Sequence, residues 1–161
     1  MIAADSLARF EVSASVEERV LRLRMSGIFT EDQMQAFAAA YRLATHEFQG
    51  RKHMVIADMR GMKPLHPPVA LILADVISFG RSVGVVLCAH VSNHAVQRLQ
   101  AERLARENSP TDDVTVDVSS VNEAERVVDE ARPRLEDERY GISVREALPA
   151  PLARPRTGTA P

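Results

Sequence analysis

The chain has no tryptophan, a single cysteine, and aromatic residues at only 4% of its 161 positions. Its core must therefore be aliphatic, and the lone Cys88 excludes an internal disulfide. No charge of either sign dominates. With 20 Lys and Arg against 22 Asp and Glu, the formal charge of -2 supplies no basic field for nucleic acid. Long apolar runs are missing too: the longest, Val69 to Ala74 and Val83 to Ala89, fall well short of the roughly 20 residues that cross a bilayer. The first residues carry Asp5 and Arg9 with no long apolar stretch between them, so no secretion signal is expected. These absences predict a soluble, cytoplasmic protein that neither inserts in membranes nor binds DNA or RNA.

What is present is an alternation of strand and helix patterns. Phe10, Val12, Ala14 and Val16 alternate with polar residues, as do Leu21, Leu23 and Met25, the period-two signature of strands with one wet face. Glu17-Glu18-Arg19 predicts a hairpin turn between them. Thr30-Glu31-Asp32-Gln33 has the spacing of a capping box, and Met34, Phe37, Ala38, Tyr41, Ala44 and Phe48 repeat at helical spacing up to Gly50. His53 to Met59 and Val85 to Ala89 are apolar without alternation, as strands buried on both faces must be. Between them a helix is predicted from Pro67 or Pro68 to Phe79, with Gly80 and Gly84 permitting the return to the sheet. A further helix is expected from Ser92 or Asn93 to about Asn108, with Arg98, Glu102 and Arg106 as an exposed ladder. Val114, Val116 and Val118 then alternate as a strand near an edge. Ser120-Val121-Asn122-Glu123 forms a second capping box, before a helix that Pro133 ends.

This order predicts an α/β fold: a mixed, mostly parallel sheet of about five strands with about four helices, joined by right-handed crossovers. The domain is expected over residues 1–132. The remainder, 133–161, contains Pro149, Pro151, Pro155 and Pro161 among small and polar residues and is predicted to be a disordered extension at its end.

The segment Asp58-Met59-Arg60-Gly61-Met62-Lys63-Pro64-Leu65-His66-Pro67-Pro68 joins a buried strand to a helix, the place where α/β proteins gather ligand groups. From Met59 to Ile77 it has no Ser, Thr or Tyr, so no side-chain hydroxyl there can accept a phosphate. On the following helix Val69, Ile72, Leu73, Val76 and Gly80 share one face, whereas Leu71 and Ile77 lie off it. Two readings stand: the helix packs on two sides within its own domain, or it presents an apolar patch to a partner.

The element order, Ser26-Gly27 after the second strand, Asp58-Met59-Arg60-Gly61 at the end of the third, and a Gly-bounded helix before Val85-Val86-Leu87 together resemble the STAS superfamily over about Phe10 to Arg132. Bacterial anti-sigma-factor antagonists are its nearest members. In those antagonists the strand ends Asp-Leu-Ser-Gly, and an Asp-Ser-Ser-like run opening the next helix carries the Ser or Thr that a partner kinase phosphorylates. Here Asp58 and Gly61 match, Arg60 stands in place of the first Ser, and His66-Pro67-Pro68 replaces the run. The resemblance implies a non-catalytic regulatory protein-interaction module in signal transduction, without the usual phosphorylation switch and without a cofactor. Its implied contact residues are Asp58, Arg60, Lys63, His66, Pro67, Pro68, Leu71, Asp75 and Ile77. A kinase-like, anti-sigma or receptor-type protein is the implied partner, and an edge strand near Phe10 also suits pairing with a second copy.

The alternative is a sensor of a small anion, nucleotide or lipid, with Asp58, Arg60 and His66 gathered at the strand ends. Against it, Asp58 can simply bond loop amides while His66 only precedes the helix. Catalysis by Cys88 and His90, two apart on one strand, lacks an assignable orienting acid, since a lone strand Cys usually packs as a small hydrophobe. His90 and His94 are separated by a strand-to-helix turn and make a poor metal pair. His46 and His53 bracket a helix end, where capping or solvation is the expected role. Gly80-Arg81-Ser82-Val83-Gly84 precedes a strand and is no dinucleotide fingerprint.

Overall fold

A computed structural model describes residues 7–92 and 114–136. The chain opens with the expected hairpin of β1 (Arg9–Ser15) and β2 (Val20–Gly27), paired Phe10 to Met25, Val12 to Leu23 and Ala14 to Leu21. The period-two pattern thus collects all these apolar side chains on one face. At the turn Arg19 adopts φ 60°, the left-handed geometry that Asn-Gly usually supplies. Its side chain secures the turn: Nε donates to the Lys52 carbonyl at 2.8 Å, and the guanidinium pairs with Glu136.

Helix α1 (Glu31–Thr45) starts at the predicted capping box, with Gln33 N donating to Thr30 Oγ1 at 3.2 Å and Thr30 N to Gln33 Oε1 at 2.9 Å. It does not run on to Gly50. A 3-10 turn over His46–Phe48 follows it, and left-handed Gln49 and Gly50 reverse the chain. Strand β3 (His53–Met62), helix α2 (Pro67–Ser82), strand β4 (Val85–Val91), strand β5 (Thr115–Val118) and helix α3 (Val121–Ala131) complete the described elements.

The strands form one sheet in the order β1-β2-β3-β4-β5. Only β1 runs antiparallel to its neighbour; the pairs β2–β3, β3–β4 and β4–β5 are parallel. This is the mixed, mostly parallel α/β sheet expected, with β5 at an edge. Three helices are seen among the described residues rather than about four. The additional helix expected as far as Asn108 lies, apart from its opening at Ser92, outside those residues, as does the 137–161 part of the extension.

Each face of the sheet is covered by its own layer. Helices α1 and α2 bury Leu21, Leu23, Met25, Val55 and Ala57 against Met34, Phe37, Leu73 and Val76. Helix α3 covers the other face, packing Ala124, Val127, Val128 and Ala131 on Val20, Met54, Ile56, Leu87 and Val116. Strand β3 lies between both layers, so His53 through Asp58 are all buried and its apolar run shows no alternation. Packing continues past Pro133, since Leu135 is buried in the α3 layer.

Four sequence readings change in detail. Gly80 is no turn residue: α2 continues past it to Ser82, and a Cβ at Gly80 would lie 2.4 Å from the Tyr41 hydroxyl, so the glycine lets the two helices approach closely. The second capping box is half formed. Glu123 N donates to Ser120 Oγ at 3.1 Å, but the Glu123 carboxylate turns to Ser119, accepting from its N and Oγ at 3.0 Å each. His53 neither caps a helix nor meets solvent. It is fully buried, stacked on Phe48 with ring centroids 4.1 Å apart and planes 3° from parallel. Finally, β3 runs beyond Met59 to Met62 because β2 pairs with it there, Ser26 opposite Gly61 and Gly27 opposite Met62.

Candidate functional site

Because β2 and β3 are parallel, both deliver their C-terminal residues to the same edge of the sheet. Register places Arg24 directly opposite Asp58, and a shift between Arg24 and Ser26 brings Gly61 against Ser26. A Cβ on Gly61 would sit 2.7 Å from the Ser26 Cβ, so the glycine after Asp58-Met59-Arg60 is required by this close strand approach. The backbone of the following loop is tied to the same edge by Lys63 N donating to the Gly27 carbonyl at 3.1 Å.

Asp58 is buried, yet its carboxylate is fully engaged. Arg60 Nε and Nη2 donate to its two oxygens at 2.9 Å each, and the Arg60 backbone N adds a 3.3 Å bond. Arg24 Nε lies 3.8 Å away on the open side. The Arg60 fork holds the Asp58 carboxyl below its ordinary range, against the opposing effect of burial. A carboxylate so occupied is a poor general base, and two arginines on one carboxylate leave the edge cationic. Side-chain exposure of 66% for Arg24 and 42% for Arg60, beside exposed Lys63, puts that surplus in contact with solvent.

Beyond Lys63, the half-buried Leu65 anchors the loop on the α1–α2 layer. Exposed His66 is the N-cap residue of α2 in extended geometry but makes no side-chain capping bond; Pro67 and Pro68 start the helix, and a missing amide hydrogen costs nothing there. His66 is not among the partners of Asp58, so of the three residues named for the ligand-sensor reading only Asp58 and Arg60 are bonded to each other. On α2 the two off-face residues part company. Ile77 is half-buried against the core, as the two-sided packing reading has it, whereas Leu71 is 64% exposed, with Asp75 one turn later also exposed.

Sequence reasoning missed Arg24 as a partner of Asp58, although aligning β2 with β3 as parallel neighbours would have paired them. It also missed Leu7 and Ile28, bridged backbone to backbone just past the end of β2 and exposed by 48% and 43%. Cys88 and His90 do share a strand face, where Thr115 and Asp117 of β5 lie opposite them. Among the described residues no group of three His, Cys, Asp or Glu is placed to hold a metal ion, and no helix is long and apolar enough to cross a membrane. No protein-family model matches the chain, and no curated protein matches it.

Proposed function

We propose that this chain is a non-catalytic, STAS-like regulatory module that acts by docking a protein partner at the carboxyl edge of its sheet and along the outer face of α2. The observation that carries the reading is the start of α2: a proline-initiated helix with no side-chain hydroxyl through Ile77, which presents Leu71 to solvent beside an edge left cationic by Arg24, Arg60 and Lys63. Where a phosphorylated Ser or Thr would add about two negative charges and repel a partner, the segment from Met59 to Ile77 has no acceptor hydroxyl and the strand edge keeps its cationic surplus. The module is thus held in its binding form, or regulated elsewhere. Charge complementarity favours an acidic contact surface on a kinase-like, anti-sigma or receptor-type partner in the cytoplasm.

Affinity purification of the full chain from its native cell, with Leu71→Asp, Lys63→Glu and Asp75→Lys made in parallel, tests this. Wild type is expected to retain a regulatory protein in a salt-sensitive complex. Leu71→Asp and Lys63→Glu should lose it while keeping the wild-type circular dichroism spectrum and melting temperature. A folded Leu71→Asp variant that retains the complex, or stoichiometric phosphate on His66, would refute the proposal.

A further inference from the structure

A cavity of about 100 Å³ lies between α2 and strands β3 to β5, on the side of the sheet opposite α3. Its wall is mainly aliphatic, from Ala57, Met59, Leu73 and Ile77, with Cys88 and His90 at the β4 side. His90 is 5% exposed, and its Nδ1 has no hydrogen-bond partner. Asp117 is paired with it in register, with Nδ1 3.5 Å from Oδ1, too long for a sound hydrogen bond. Arg81, Thr115 and Asp117 also reach the wall of this mainly apolar chamber; buried polar atoms are nearly always bonded, so one left unmet there has the form of a ligand-orienting group. Nothing in the docking surface accounts for this pair, which sits on β4 and β5 rather than at the ends of β2 and β3.

We propose that this cavity binds a small, mainly apolar molecule with a single hydroxyl, its carbon skeleton against Leu73 and Ile77 and its hydroxyl received by His90. Size sets the class. An apolar chamber of about 150 Å³ accommodates benzene, so the smaller volume here suits a short alcohol. Asp117 lies across from His90 on β5, facing the same ring nitrogen. The inference is independent of the docking reading and survives its failure.

The test is a titration of the full-length chain, labelled with 15N and with 13C methyls, using ethanol and the hydroxyl-free propane as size-matched probes. Ethanol should give saturable shifts centred on Ala57, Leu73, Ile77, Cys88 and His90, with propane about fivefold weaker, the worth of one net hydrogen bond. His90→Phe should erase the preference for the alcohol, and Ala57→Leu should abolish binding of both probes by filling the chamber. His90→Gln serves if His90→Phe does not fold, and should keep part of the preference. Absence of saturable shifts with either probe, shifts centred elsewhere, or an alcohol preference unchanged in a folded His90 variant would overturn the proposal.

Discussion

His53 makes the stability of this protein sensitive to mild acid. Its Nδ1 donates to the Arg51 carbonyl at 2.9 Å, which leaves Nε2 as the site for a second proton. That atom is buried without a partner, one face of the ring is covered by Phe48, and Arg19 nearby opposes a positive charge. Burial, chiefly, pushes the imidazole below its ordinary value of 6.5. The folded protein therefore keeps His53 neutral at a pH where the unfolded chain has already bound a proton. With more protons on the unfolded state, stability rises with pH through the window below 6.5 and levels off above it. The limiting slope is about 1.4 kcal/mol per pH unit. If the native ring stays neutral throughout, the loss between about pH 7 and 5 is about 2 kcal/mol. Urea unfolding followed by circular dichroism across this range, for wild type and His53→Phe, measures it. The variant keeps the stack on Phe48 but cannot titrate, so subtracting the two curves cancels the other histidines and the carboxylates. The difference should grow as pH falls from 6.5. A difference curve flat from pH 7 to 5 would refute the assignment of a neutral, desolvated His53.

Two further outcomes follow from the geometry. Gly80→Ala drives a methyl into the buried Tyr41 hydroxyl, and the strain should cost about 1–3 kcal/mol of unfolding free energy in denaturant melts; a neutral or stabilising result would mean that the α1–α2 contact is looser than described. Arg60→Ala strips Asp58 of its fork. Because Arg60 is substantially exposed, solvent screening limits the loss to about 1 kcal/mol near neutral pH. That contribution is complete above the ordinary Asp value of 3.8 and disappears as pH falls through the lowered folded value, so wild type and Arg60→Ala should converge in strong acid. Equal stability at neutral pH would show the pair to contribute nothing.

The legible parts of the fold were those set by local chemistry. Thr30 and Gln33 announce the start of α1, Pro67 starts α2, and the unbroken run Met54 to Ala57 predicts a strand between two layers. What escaped depends on partners distant in sequence. Arg60 and Gly61 resemble loop residues until β2 supplies the pairing that extends β3. His53 resembles a solvated helix-end histidine until the 3-10 turn lays Phe48 over it. The candidate site divides in the same way. Asp58, Arg60 and the prolines were visible as a motif, and exposed Leu71 stood out by helical spacing. Arg24 and the His90–Asp117 pairing arise only from strand register, which no short window of sequence contains.

Arg22 on β2 grips Glu125 on α3 through two bonds of 2.9 and 2.8 Å between residues 103 positions apart. Arg132 reaches back in the same way to the Glu18 carbonyl, and Glu136 to Arg19. The hairpin is thus synthesised well before the described helix that shields its second side, with 103 positions between Arg22 and Glu125. A nascent chain halted before Val121 would expose Val20, Met54, Ile56 and Leu87 as a bare aliphatic plane. Such a plane invites chaperone capture or aggregation on the ribosome, and non-local closure of this kind slows folding. Stop codons placed after Ala131 rather than before Val121 should therefore mark the boundary between soluble and insoluble truncations.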